Sequence, residues 1–300
     1  MRTPSIALVP ILGLVACGGT NPPPAEPTPS KPAAKAGPVL PAGCQHNVTI
    51  DESGKLVVLG EWRGQPVHVV VDTGANSGSI SERLVQKYQL PVTGHAKYAS
   101  ATAQFVDTTS YDAGELTIGG ATVLMKNVFS HAANANRYDF LIGLDQLESH
   151  AMVVDLAREA FCLVDSPHEL ATEPMRTSGE GPYRAVMVSA KFGGVQLDDM
   201  ILDTGAGVTT INDAHLARIE HTALPDKVTA VDGTGAEVDL SLVTVPKICV
   251  GAACSTDHMV MPSPDMSELA THHIDGIVGL PFFLDHVLVI DFPAKKIGIL

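Results

Sequence analysis

The stretch VVVDTGANSGSIS, residues 69–81, runs three β-branched valines straight into an Asp-Thr-Gly turn. The chain does nearly the same again in MILDTGAGVTTIN, residues 200–212. Val69–Val71 and Met200–Leu202 read as buried strands, and each delivers a carboxylate, Asp72 or Asp203, at its end. A carboxylate carried into an apolar interior costs desolvation energy unless something there uses or pairs it. Two such strands in one chain call for one shared explanation.

Working outward, each DTGA is preceded by an alternating hairpin pattern: KLVVLGEWRGQPVHVVVDTGA in the first half, RAVMVSAKFGGVQLDDMILDTGA in the second. Arg63-Gly64-Gln65 and Gly193-Gly194 suit tight hairpin connections. After each DTGA comes an apolar residue, Ile80 or Ile211, then a capping type, Ser81 or Asn212. Short helical patterns follow, ERLVQKYQ and DAHLARIE. Each half closes alike, in DFLIGLDQLESHAMVVDLAREAFCL (139–163) and DGIVGLPFFLDHVLVIDFPAKKIGIL (275–300). The pattern is an internal duplication and predicts two lobes, residues 44–165 and 183–300, related by a pseudo-two-fold axis. A polar stretch, 166–182, joins them.

Composition narrows the class. With 45% apolar residues, 27 Gly and 21 Pro in 300 positions, and few long amphipathic windows, an all-β chain rich in turns is expected. Its 33 acidic against 19 basic residues give a formal charge of −14. No clustered positive surface is available for a nucleic acid, so that partner class is excluded.

The first residues read as a targeting signal. Arg2 precedes an apolar run, Ile6–Ala16, too short for the roughly 20 residues a bilayer span needs. Leu14-Val15-Ala16-Cys17 resembles a bacterial lipobox, which implies a signal at 1–16 and a lipidated Cys17. Gly18 at the next position points to the outer membrane. Residues 18–43 are dense in Pro and Ala without apolar periodicity, so 17–43 reads as an extended tether off a membrane. A cell-envelope location follows as an expectation.

Cys17 aside, four cysteines remain, an even count that in an exported chain implies two disulfides. Cys249 and Cys254 flank a short Val-Gly-Ala-Ala turn and are expected to pair, leaving Cys44 with Cys162. No metal or cofactor is expected. The cysteines lack C-x2-C spacing, the 12 His include no H-E-x-x-H frame, and His272-His273 read as a polar loop.

At the two DTGA loops, and at Leu141-Ile142-Gly143 and Ile277-Val278-Gly279 downstream of them, the chain resembles the aspartic proteases of the retropepsin-like and pepsin-like clan. That resemblance implies a bilobal all-β acid-protease fold with two barrel-like lobes, and an endopeptidase that uses Asp72 and Asp203 as its catalytic pair. It implies that Gly74 and Gly205 permit the sharp turn. Thr73 and Thr204 would bond across to the opposite loop, and the later Gly-containing segments would pack behind. The substrate would be a peptide or protein, and the active species a monomer holding both half-sites. Ala75 and Ala206 stand where pepsin-like enzymes often carry a hydroxyl, which implies a working pH nearer neutral. Flap candidates are residues 97–106, with Tyr98, and 231–240, whose Gly233-Thr234-Gly235 suits a mobile tip. Two other uses of the same frame stay open on the sequence. One is a non-catalytic peptide-binding cleft; the other is an envelope interaction protein in which the Asp residues only form turns.

Overall fold

The computed structural model describes residues 10–11, 15–16, 38–45, 47–100, 105–131, 138–167, 169–179, 184–231, 237–263 and 274–300. With 56% of residues in strands and 11% in helices, arranged as two barrel-like sheets, the expected bilobal aspartic-protease fold is what forms.

In the first half, Leu56–Trp62 and Gln65–Val71 pair antiparallel, with Trp62 opposite Gln65. Arg63 and Gly64 both take positive φ, 51° and 71°, the signature of a tight primed turn. Alternate residues are buried near the turn, whereas Leu56–Val58 and the facing Val69–Val71 are buried on both faces. The reason at Val69–Val71 lies in their neighbours. Phe140–Ile142 runs parallel beside them, Ile142 opposite Val71, and Ser79–Ser81 lies on the far side of that strand. Trp62 anchors the arrangement: its indole N–H donates to the Ala113 carbonyl at 2.8 Å, and its ring meets Phe140 edge-on at 5.3 Å.

The second half repeats the plan. Ala185–Phe192 and Val195–Asp203 form the hairpin, turning at Gly193-Gly194 between the paired Phe192 and Val195. Gly276–Gly279 runs parallel to the second strand, Leu202 opposite Val278 and Asp203 opposite Gly279. Each half also carries a long hairpin: Val92–Ser100 with Phe105–Tyr111, and Thr222–Val231 with Glu237–Val250. Two short pieces, Pro10–Ile11 and Val15–Ala16, lie beside these hairpins, parallel to the first and antiparallel to the second.

A third sheet joins the halves. Ala151–Asp155 of the first pairs antiparallel with Val287–Asp291 of the second, Val153 opposite Val289, and both strands are buried throughout. Ala160–Val164 and Lys296–Ile299 flank them, and Glu173–Pro174 adds an edge. One apolar cluster, from Val48 to Ile297, therefore runs through both halves. Within 166–182, Arg176–Ser178 also pairs with the opening strand of the second half.

The four cysteines form the two expected disulfides, Cys44–Cys162 and Cys249–Cys254. The first ties the start of the folded region to the interlobe sheet; the second clips a β-hairpin near its turn. Two local expectations differ. Ser81 precedes the helix Glu82–Tyr88 but makes no side-chain cap, because it ends a strand and its hydroxyl points into the interior. The pattern DAHLARIE forms a 3-10 helix, Asp213–Arg218, and there Asn212 does cap, accepting from the Ala214 N–H at 3.0 Å.

Candidate active site

The two DTGA loops meet where the halves face each other, and their backbones interlock. The Thr73 N–H donates to Thr204 Oγ1 at 3.2 Å, and the Thr204 N–H donates to Thr73 Oγ1 at 3.0 Å. Each hydroxyl then donates across the gap, Thr73 to the Leu202 carbonyl at 2.9 Å and Thr204 to the Val71 carbonyl at 2.8 Å. All four bonds are buried, where an unmade bond is costly, so the loops hold one relative position.

Asp72 and Asp203 lie fully buried within that frame. Asp72 Oδ1 accepts from the Gly74 and Ala75 N–H groups, both at 2.9 Å. Asp203 Oδ1 accepts from the Gly205 N–H at 2.7 Å. The Oδ2 atom of each has no donor among the described residues, and the two carboxyl groups are within hydrogen-bonding reach of each other. Glycine is required after each Thr. A Cβ on Gly74 would lie 2.3 Å from Asp203 Oδ2, and one on Gly205 would lie 2.3 Å from Asp72 Cγ. Each glycine is thus the floor on which the opposite carboxylate rests. Ala75 and Ala206 follow, both buried and without a hydroxyl to offer.

The segments behind the loops explain their rigidity. The Asp72 N–H donates to the Ile142 carbonyl at 3.0 Å, and the Leu144 and Leu280 N–H groups donate to Ala75 and Ala206 carbonyls at 2.9 and 2.8 Å. Gly143 and Gly279 sit so close that a Cβ would come within 2.6 Å of the Ala75 and Val208 carbonyl oxygens respectively.

Burial pushes both carboxyl groups above the ordinary carboxylate value. At Asp203 the neighbouring Asp72 charge adds to the rise. The donor count runs the same way: two N–H groups favour ionised Asp72, one favours ionised Asp203. A pair that cannot comfortably carry two charges holds one proton between them.

Two nearby basic residues were not legible in the sequence. Lys55 is buried and its ammonium bears on both carboxylates, favouring their ionised forms. Arg184 crosses between halves to pair with Asp145 at 2.7 Å and Glu148 at 2.6 Å. Of the other sequence candidates, the cysteines bond away from the loops. Cys17, His272-His273 and the tip Gly233-Thr234-Gly235 lie outside the described residues. Tyr98 sits on the first long hairpin, opposite Val106.

Comparison with protein families agrees with this geometry half by half. Residues 58–149 match the model for the gag-polyprotein aspartyl protease, and residues 188–282 match a second aspartyl protease model. The two halves are aspartyl protease domains of the retropepsin type. Each matched segment of these domains contains one DTGA loop and its glycine partner, so the family pattern recurs on both sides of the pseudo-two-fold axis. A search of curated proteins found no match.

Proposed function

We propose that this chain is an aspartic endopeptidase that hydrolyses peptide bonds with a water activated between Asp72 and Asp203. One observation carries the proposal: two fully buried carboxyl groups, each resting on the glycine of the opposite domain's loop, held by reciprocal Thr73–Thr204 hydrogen bonds. Neither a binding cleft nor an architectural duplication has use for such an arrangement, since two buried acids without a task only cost stability.

The reaction follows from a pair holding one proton. The ionised member, favoured at Asp72 by its two N–H donors, removes a proton from water as the oxygen attacks the scissile carbonyl. The protonated member donates to the carbonyl oxygen, so a neutral gem-diol forms. Collapse returns a diol proton to the pair while the proton gained by Asp72 passes to the leaving nitrogen, and the C–N bond breaks. No covalent enzyme intermediate is formed.

The two disulfides support export to an oxidising compartment. In this reading Cys17 is the lipidated N-terminus after loss of 1–16, and residues 18–43 hold a monomeric protease off the periplasmic face of a bacterial outer membrane. The test is digestion of a diverse peptide library by the chain and by its Asp72→Asn variant. Endopeptidase products from the first alone support the proposal. Binding without cleavage by both would leave a peptide-binding protein.

A further inference from the structure

Each half places a basic residue just before its first hairpin strand: Lys55 ahead of Leu56–Trp62, and Arg184 ahead of Ala185–Phe192. The two have different fates. Arg184 reaches the helix after Gly143 and finds two acids there, Asp145 and Glu148. The matching helix after Gly279, Leu280–Phe283, is LPFF and offers no carboxylate. Lys55 instead turns inward and is 2% exposed, among the largest fully buried side chains of the molecule.

A self-contained turn puts it there. Asp51 Oδ1 accepts from the Ser53 N–H at 2.8 Å, the Ser53 hydroxyl at 2.6 Å and the Lys55 N–H at 3.0 Å. The turn so closed presses onto the opposite domain: a Cβ on Gly207, just past the second DTGA, would lie 2.4 Å from the Ser53 carbonyl oxygen. From that position the ammonium lies 5.9 Å from the centre of the Tyr138 ring. Tyr138 in turn packs with Ala75 of the first loop. The packing of the turn on Gly207 and of Tyr138 with Ala75 brings the Lys55 charge to the carboxylate pair, where it favours the ionised form of both acids. Asp51, in the same turn, is engaged by Ser53 and the backbone, and Tyr138 presents its ring.

We propose that Lys55 is the positioning cation of this centre: it balances the single negative charge of the Asp72–Asp203 pair and sets the pH range over which that pair holds one proton. The inference rests on the protease reading for its kinetic consequence but not for its electrostatic one. A buried cation beside the pair favours the ionised forms, so Lys55 lowers both proton losses of the pair together. Without it, two protons persist to higher pH and the second proton leaves later. Lys55 thus opposes the effect of burial and keeps the one-proton state within reach of ordinary conditions.

The experiment compares the full chain with Lys55→Met and Lys55→Arg in two readouts. One is the pH dependence of kcat/KM on a peptide it cleaves; the other is the titration of ¹³C-carboxyl-labelled Asp followed by NMR. The expected result is that both limbs of the kinetic profile, and both carboxyl transitions, move up by about one pH unit or more in Lys55→Met. In Lys55→Arg they stay close to wild type. A Lys55→Met profile that is only lowered, with its limbs unmoved, overturns the proposal, as does an equal shift in the Arg variant. If the wild-type chain cleaves nothing, the protease reading fails, and the carboxyl titration still decides for or against Lys55. Should Lys55→Met not fold, Lys55→Gln is read in the same assays.

Discussion

Thr204→Val removes one hydroxyl and keeps side-chain volume, so it isolates hydrogen bonding from packing. In the folded chain that hydroxyl accepts from the Thr73 N–H at 3.2 Å and donates to the Val71 carbonyl at 2.8 Å, both buried. Each partner left without a bond costs about 1–3 kcal/mol, so the variant loses at least about 2 kcal/mol. Against a typical stability of about 5–15 kcal/mol this is readily resolved. Urea denaturation, followed by fluorescence of the buried Trp62, measures it as a lowered midpoint at unchanged slope. Thr204→Ser keeps the hydroxyl and should lose about 1 kcal/mol, the cost of a methyl. The Val variant should also cleave peptides more slowly at every pH, because the loop carrying Asp203 is no longer pinned. If Thr204→Val lies within about 1 kcal/mol of wild type, buried hydrogen bonds are not what aligns the two loops, and the reasoning above is wrong.

Three further outcomes are expected. Asp203→Asn should be more stable than wild type at pH 7, with the advantage shrinking toward pH 4: the folded carboxyl binds its proton more tightly than the unfolded one, so wild-type stability is full at low pH and falls as pH rises through the raised value. Melting temperatures at the two pH values check this. His258 runs the other way. Burial pushes its imidazole down to about 4, so stability is lost as pH falls from about 6.5 to about 4, by about 3 kcal/mol, and His258→Gln should flatten that part of the stability–pH curve. The disulfides differ by loop length. Cys44–Cys162 closes a separation of 118 residues and Cys249–Cys254 one of 5, so replacing each pair by Ala should cost about 5 and about 2 kcal/mol respectively by denaturant titration.

The fold was legible because it is written twice. Val69–Val71 and Met200–Leu202 lack the alternation of a half-exposed strand, and that exception marked where the chain enters the interlobe core. The Cys249–Cys254 pair followed from its short turn, and Cys44–Cys162 by remainder. The reciprocal threonine bonds entered through family resemblance, since no local pattern tells Thr73 that its partner is Thr204. What stayed hidden depends on contacts between halves. Lys55 looks like an ordinary basic residue flanking a strand; only the packing of its turn on Gly207 makes it buried. His258 has no local motif that marks it, and only the folded chain sets its Nε2 2.8 Å from Thr209 Oγ1, which also accepts from the Gly279 N–H at 3.3 Å. Ser81 is a capping residue type, but the strand it ends buries its hydroxyl away from the helix start.

The account stands on one centre built by both halves, and the turnover of Asp203→Asn tests that most directly. Its partner Asp72 keeps both N–H donors in that variant, so any activity housed in the first domain alone survives. The account predicts that peptide cleavage falls by about a thousandfold or more, matching the loss in Asp72→Asn. Cleavage by Asp203→Asn within about tenfold of wild type would contradict it.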